Sequence, residues 1–309
     1  MNKAAITDFD SLITFASAIS GMRVSVVAPG NAETFSSIAQ AQKTLHAFFV
    51  LVGDRDVIDH GMSSLGGESS QMEIIHCPDP KSALRAAIEL VRGEKADILM
   101  KGSVDTGTMM KAVLEEGSGL RTGRLLSDIF VVEFPPRDGN KFIMITDGGI
   151  TLAPDLKEKV ELIRNAVEVA HALGNTMPKV AVLSATEFVL PNLQSTLDAA
   201  VLSKMNDRGQ ITGCIVDGPL ALDNAVSGGA AGEKKIKSEV AGQADILVAA
   251  NIETANSLAK STTYFAGLRL AHVIVGARVP ILIPSRADKS DAKLLSIALG
   301  MIMASREHQ

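Results

Sequence analysis

Residues 154–185 read PDLKEKVELIRNAVEVAHALGNTMPKVAVLSA, one helix and one strand in succession. Leu156, Val160, Ile163, Val167, Ala170 and Leu173 recur at steps of three and four residues, the spacing that lines one face of an α-helix. The spacing predicts a helix over 155–173. Pro154 and Asp155 suit its first turn, where proline lacks only an N–H that would go unpaired and a carboxylate meets the positive end of the helix dipole. Gly174 suits its end. The KVAVLSA run from Lys179 is near-continuously apolar rather than alternating, as a strand buried on both faces should be.

The same pairing recurs in both directions along the chain. Further apolar runs begin at Val24, Phe48, Glu73, Asp97, Ile129 and Phe142, and later at Gly213, Asp245, His272 and Ile281. Helical patterns fall over 80–92, 108–116, 193–205 and 291–304. Such alternation predicts an α/β protein with doubly wound, mostly parallel sheets. A chain of 309 residues exceeds the roughly 250 to 300 that one core usually holds, so two α/β domains are expected. Composition breaks fall at 135–140, read as a crossover, and at 227–235, read as a surface loop.

Composition narrows the function classes. One Tyr, no Trp and a net charge of -5 remove both the stacking platforms and the positive surface that nucleic acid requires, so no nucleic-acid partner is expected. The two cysteines, Cys77 and Cys214, form neither a disulfide framework nor a CxxC site, which fits a reducing, cytoplasmic setting. Asp8 and Asp10 interrupt the place of a signal-peptide core, and no stretch reaches the ~18 apolar residues of a membrane span, so no membrane association is expected. The six histidines show no ligand spacing, and no metal site is expected. Nor does the chain contain a GxxxxGK[ST] loop or a GxSxG elbow, and GSGLRTG follows a helical pattern instead of the strand that a dinucleotide loop needs.

In open parallel sheets ligands bind beyond the carboxyl ends of the strands. The polar residues there are Lys101, Gly102 and Ser103 after DILM; Asp217, Gly218, Asp223 and Asn224 after CIV; Asn251 and Glu253 after ILVAA; and Ser285 and Arg286 after ILIP, followed by Asp288 and Asp291. GLRTGRLLSD, residues 119–128, adds Arg121, Arg124 and Ser127; guanidinium forks grip phosphate bidentately, and glycine lets backbone amides approach an anion.

ILMKGSVDTG, GLRTGRLLSD, DGGITLAPDL, GCIVDGPLALDNA, ADILVAANIE and VPILIPSRAD together resemble the phosphate acetyl/butyryltransferase family, most closely its phosphate butyryltransferase branch. The likeness runs from about Ala96 to Ala304. It implies the isocitrate/isopropylmalate dehydrogenase-like fold, with residues 1–136 and 281–309 in one α/β domain, 137–280 inserted as the second, and the active site in the cleft between them. It implies a homodimer or larger homo-oligomer. The implied reaction exchanges a short acyl group between CoA and inorganic phosphate through an acyl phosphate, with CoA as substrate and no cofactor.

By the same resemblance Ser285 and Arg286 match the family's catalytic pair. The arginine would hold the phosphate, and the serine would hydrogen-bond the reacting thiol or oxyanion. Asp291 or Asp288 would take the thiol proton, while Arg124, Arg121, Lys101, Ser103, Ser127, Asp217, Gly218 and Asn251 are the candidate substrate-binding residues. The alternatives are a metal- and NAD-dependent dehydrogenase of the same fold and a non-catalytic acyl-CoA binding protein.

Overall fold

The computed structural model describes residues 5–63, 71–134, 141–285 and 287–307. Its strands are β1 (Arg23–Val27), β2 (Phe48–Gly53), β3 (Met72–His76), β4 (Ile98–Lys101), β5 (Ser127–Phe134), β6 (Lys141–Thr146), β7 (Lys179–Leu183), β8 (Ile215–Leu220), β9 (Ile246–Val248), β10 (Leu270–Val275) and β11 (Ile281–Leu282). The helices are α1 (Phe9–Ser17), α2 (Ala32–Leu45), α3 (Arg55–Ser63), α4 (Pro80–Arg92), α5 (Thr106–Leu114), α6 (Leu156–Ala172), α7 (Gln194–Asp207), α8 (Leu222–Val226), α9 (Gly228–Glu233), α10 (Ile252–Tyr264) and α11 (Ser290–Glu307). No helix among the described residues is long and apolar enough to cross a membrane.

The chain forms two compact units: Phe9–Arg124 with Ala271–Gln309, and Met1–Asp8 with Leu125–Leu270. These boundaries fall earlier than the expected 137 and 280. The first residues join the middle of the chain because the Ile6 N–H donates to the Leu173 carbonyl at 2.8 Å, at the end of α6.

In the terminal unit the strand order is β3-β2-β1-β4-β11-β10. All neighbours are parallel except β10 and β11. Strands β1, β2 and β4 are buried almost throughout, which explains why their sequences are continuous apolar runs. Helix α11 packs on α1 and α2 and is buried on nearly every face from Lys293 to Ala304, so it lacks a clean polar stripe.

In the middle unit the order is β5-β6-β9-β7-β8, parallel except for β5 and β6. Its core gathers Phe130, Val132, Ile143, Ile145, Leu183 and Leu247 with alanines of α8, α9 and α10. With the two antiparallel pairs set among otherwise parallel neighbours, the sheets are mostly parallel, as expected.

Local chemistry accounts for the boundaries. Asp155 is the N-cap of α6 and not part of its first turn: its side chain accepts from the Glu158 N–H while Glu158 reaches back to the Asp155 N–H, a reciprocal capping box. Pro154 therefore lies outside the helix. Gly174 follows with φ 91°, a left-handed conformation that glycine adopts without a Cβ clash. The expected surface loop at 227–235 instead contains α9, capped by the Ser227 side chain accepting from Ala230 N–H. The expected crossover at 135–140 lies outside the described residues.

Candidate active site

Strands β4 and β11 are adjacent and parallel, with Ile281 opposite Leu99 and Leu282 opposite Met100. Lys101–Ser103 and Ser285–Asp288 therefore leave the terminal unit's sheet at the same edge, although they are far apart in sequence. At that edge the Gly102 N–H donates to the Val27 carbonyl at 2.9 Å and the Ser103 N–H to the Ala28 carbonyl at 2.8 Å, so the ends of β1 and β4 are stitched together. Gly102 is required by this approach: a Cβ there would lie 2.4 Å from the Val27 oxygen. Lys101 is buried, its ammonium turned back to the carbonyls of Gly102 and Val104, both at 3.4 Å. Ser103 is exposed.

The loop after β11 closes on itself. The Asp288 carboxylate accepts from the Ser285 N–H at 2.7 Å, and the Asp288 N–H donates to the Ser285 carbonyl at 3.2 Å. His272 Nε2 on β10 lies 3.9 Å from the same carboxylate. Lys293 Nζ donates to the Ser285 carbonyl at 3.1 Å and to the Asp288 carbonyl. Asp291, in the first turn of α11, is exposed. Arg286 lies outside the described residues.

The GLRTGR loop belongs to the same unit. It is pinned to the β10–β11 connection by Thr122 Oγ1 donating to the Gly276 carbonyl at 2.5 Å, by the Arg278 N–H donating to the Leu120 carbonyl at 2.9 Å, and by a bridge between Arg121 and Ala277. Gly119 and Gly123 take positive φ, 71° and 85°, which lets the loop double back. Arg121 and Arg124 are exposed on it.

The remaining candidates lie in the middle unit. Ser127 is fully buried and accepts from Asn165 Nδ2 at 2.8 Å. Asp217 and Gly218 sit within β8, not beyond it, because the strand continues to Leu220 past an irregularity opposite β7. Gly218 packs against the Val182 carbonyl, which a Cβ would approach to 2.7 Å, and Asp217 accepts from Ser203 and from the Gly218 N–H. Asn251 caps α10, its side-chain oxygen accepting from the Thr254 N–H at 2.9 Å and hydroxyl at 2.7 Å. Asn224 is buried on α8 and donates to Glu187, which also binds Lys234.

The family model described as Phosphate acetyl/butaryl transferase matches residues 51–301. The chain belongs to this family. It is 41% identical to a phosphate butyryltransferase of Clostridium beijerinckii, covering 97% of this chain and 98% of that protein. It is 42% identical to a phosphate acetyltransferase of Thermotoga maritima, covering 92% and 96%. A solved branched-chain phosphotransacylase from Enterococcus faecalis V583 superposes with a TM-score of 0.82 at 30% identity, covering 92% of this chain and 99% of that one. Likeness of fold alone extends to a dehydrogenase structure at 12% identity and a TM-score of 0.54, in keeping with the expected dehydrogenase-like α/β fold.

In this phosphate acyltransferase, then, the terminal unit brings together Lys101, Ser103, Ser285, Asp288 and Asp291 at neighbouring strand and helix ends, with Arg121 and Arg124 on a loop pinned nearby in the chain. Sequence reasoning missed Asp147, Lys293 and His272. Asp147, in the quoted DGGITLAPDL, is a buried carboxylate that accepts from the N–H groups of Asp128, Gly149, Ile150 and Thr151. Burial raises its pKa, and the nearby Asp128 charge adds to the rise against the N–H bonds that lower it. The run of small residues after an acid at a strand end was its available signal.

Proposed function

We propose that the protein exchanges a short-chain acyl group between CoA and inorganic phosphate by direct transfer, the CoA thiolate attacking the carbonyl of an acyl phosphate and phosphate departing as the C–O bond breaks. The observation that carries the reading is the shared edge of β4 and β11, where Ser103, Ser285 and Asp288 follow adjacent parallel strands and Asp291 opens the next helix, in a member of this family. Arg286 would hold the phosphate bidentately, as a planar guanidinium suits. Ser285 would hydrogen-bond the thiol or the developing oxyanion, and Lys101, Ser103, Arg121 and Arg124 would supply further cationic and hydroxyl contacts.

A thiol has a pKa of about 8.5, so a positioned base is worth roughly 100- to 10,000-fold. Asp288 already accepts the Ser285 N–H and shapes that loop. The exposed Asp291, on the first turn of the neighbouring helix, is the better candidate for the proton.

The test is phosphate-dependent release of free CoA from acetyl-, butyryl-, isobutyryl- and isovaleryl-CoA. Release from at least one is expected, and the ranking defines the acyl group. No release from any of them, with NAD reduction in its place, would sink the proposal in favour of a dehydrogenase. Arg286→Ala should lose most of the transfer activity, and near-normal turnover would remove that residue from the site.

A further inference from the structure

Lys293 is among the largest fully buried side chains, on a helix whose neighbouring residues are almost all apolar. Burial pushes its pKa down, while the charges of Asp288 and Glu33 push it back up. A methionine of similar length would fill the same space without desolvating a charge, so packing alone does not account for a lysine here. What the ammonium does contact is the loop after β11: it donates to the carbonyl oxygens of both Ser285 and Asp288. Those carbonyls bracket the Ser285–Asp288 turn, which Asp288 closes from the other side by accepting the Ser285 N–H at 2.7 Å. Glu33 on α2 accepts the Ser290 N–H at 2.7 Å and so fixes the start of the helix that carries Lys293.

We propose that Lys293 is a positioning residue for acyl transfer, its buried ammonium clamping the two carbonyls of the Ser285–Asp288 turn so that Ser285 is held in one geometry. The inference rests on the reading of that turn as the reacting site. The lysine touches no substrate; it acts through the backbone. Two charge-assisted hydrogen bonds from one buried ammonium tie the Ser285 and Asp288 carbonyls to the same point on α11, which adds to the turn's own bonds. A misplacement of about 1 Å at a reacting group can cost on the order of a hundredfold in rate.

The experiment uses the full chain, phosphate-dependent CoA release and a thermal melt for each variant. Lys293→Met is expected to fold and to lose roughly ten- to a hundredfold in kcat, with the KM for acyl-CoA and for phosphate within about threefold of the parent. Lys293→Arg, which keeps the charge and the donors, should recover a substantial part of the loss. A folded Lys293→Met with parental kcat, or a loss carried by KM alone, overturns the proposal. If Lys293→Met does not fold, Lys293→Gln, which keeps an N–H donor, is judged by the same split. If neither folds, the lysine serves stability alone and the proposal fails. A parent protein with no CoA release refutes acyl transfer and the positioning role together, whereas an active parent with an unchanged Met variant refutes only the latter.

Discussion

Gly102→Ala is the most informative single substitution at the candidate site. The added Cβ would sit 2.4 Å from the Val27 oxygen and 2.5 Å from the Ala28 oxygen, where real contacts essentially never fall under 3.0 Å. The shortfall is about 0.6 Å, and both obstacles are backbone atoms that no rotamer change can move. They are also the acceptors of the Gly102 and Ser103 N–H groups, at 2.9 and 2.8 Å, so relieving the clash stretches two ladder bonds. Weakening two such bonds costs about 1 kcal/mol each and overpacking about 1–3 kcal/mol, giving a destabilisation of roughly 3–5 kcal/mol. Because Ser103 and Lys101 move with the backbone, kcat for CoA release should fall by on the order of tenfold, scaled from ~100-fold per ångström.

The comparison is Gly232→Ala in α9, where an added Cβ meets nothing within 4 Å. It should be neutral or stabilise by up to about 1 kcal/mol, since alanine suits a helix better than glycine. Urea unfolding and steady-state kinetics of both variants check the claim. A Gly102→Ala protein with parental stability and kcat within twofold would refute the argument that the β1–β4 edge is closely packed and catalytically coupled.

Lys159 and Asp198, 2.5 Å apart and nearly buried, form an ion pair lining a cavity of about 720 Å³ in the middle unit. Lys159→Met should destabilise by about 3–5 kcal/mol in denaturant unfolding because it strands a buried carboxylate, whereas Lys159→Met with Asp198→Leu should recover most of the loss; equal losses would contradict this. Asp147, whose folded pKa burial raises above the usual carboxylate range, binds its proton more readily in the folded than in the unfolded state. The contribution of its protonated form is therefore fully present below about pH 3.8 and fades as pH rises through the folded pKa, so the parent should gain stability over Asp147→Asn as pH falls through that window. A flat difference in melting temperature across pH 4–7 would deny it. Burial pushes the Cys214 thiol up to about 11, while Cys77 is half-buried. A disulfide reagent at pH 8 should titrate one thiol quickly and the second only on unfolding, because the thiolate is the nucleophile; two fast thiols would count against the packing around Cys214.

The alternation of helix and strand was legible because it is a local property: Val160, Ile163 and Val167 repeat on one face whatever surrounds them, and Asp155, Glu158 and Gly174 cap their helix through neighbouring backbone alone. The polar residues at strand ends were legible for the same reason. Asn251 shows the same locality, since its side-chain oxygen caps the helix that starts at the next residue. Tertiary structure decided what lies beside what. That β11 adds next to β4 in parallel, and β5 to β6 in antiparallel, depends on long-range hydrogen bonds that leave no periodic trace in either partner. Nothing along the chain marks Lys293 or Asp147 as buried. Their environments come from burial beneath a loop and behind a turn, which only packing between distant segments creates, because the cost of desolvating a charge is set by everything that closes around it.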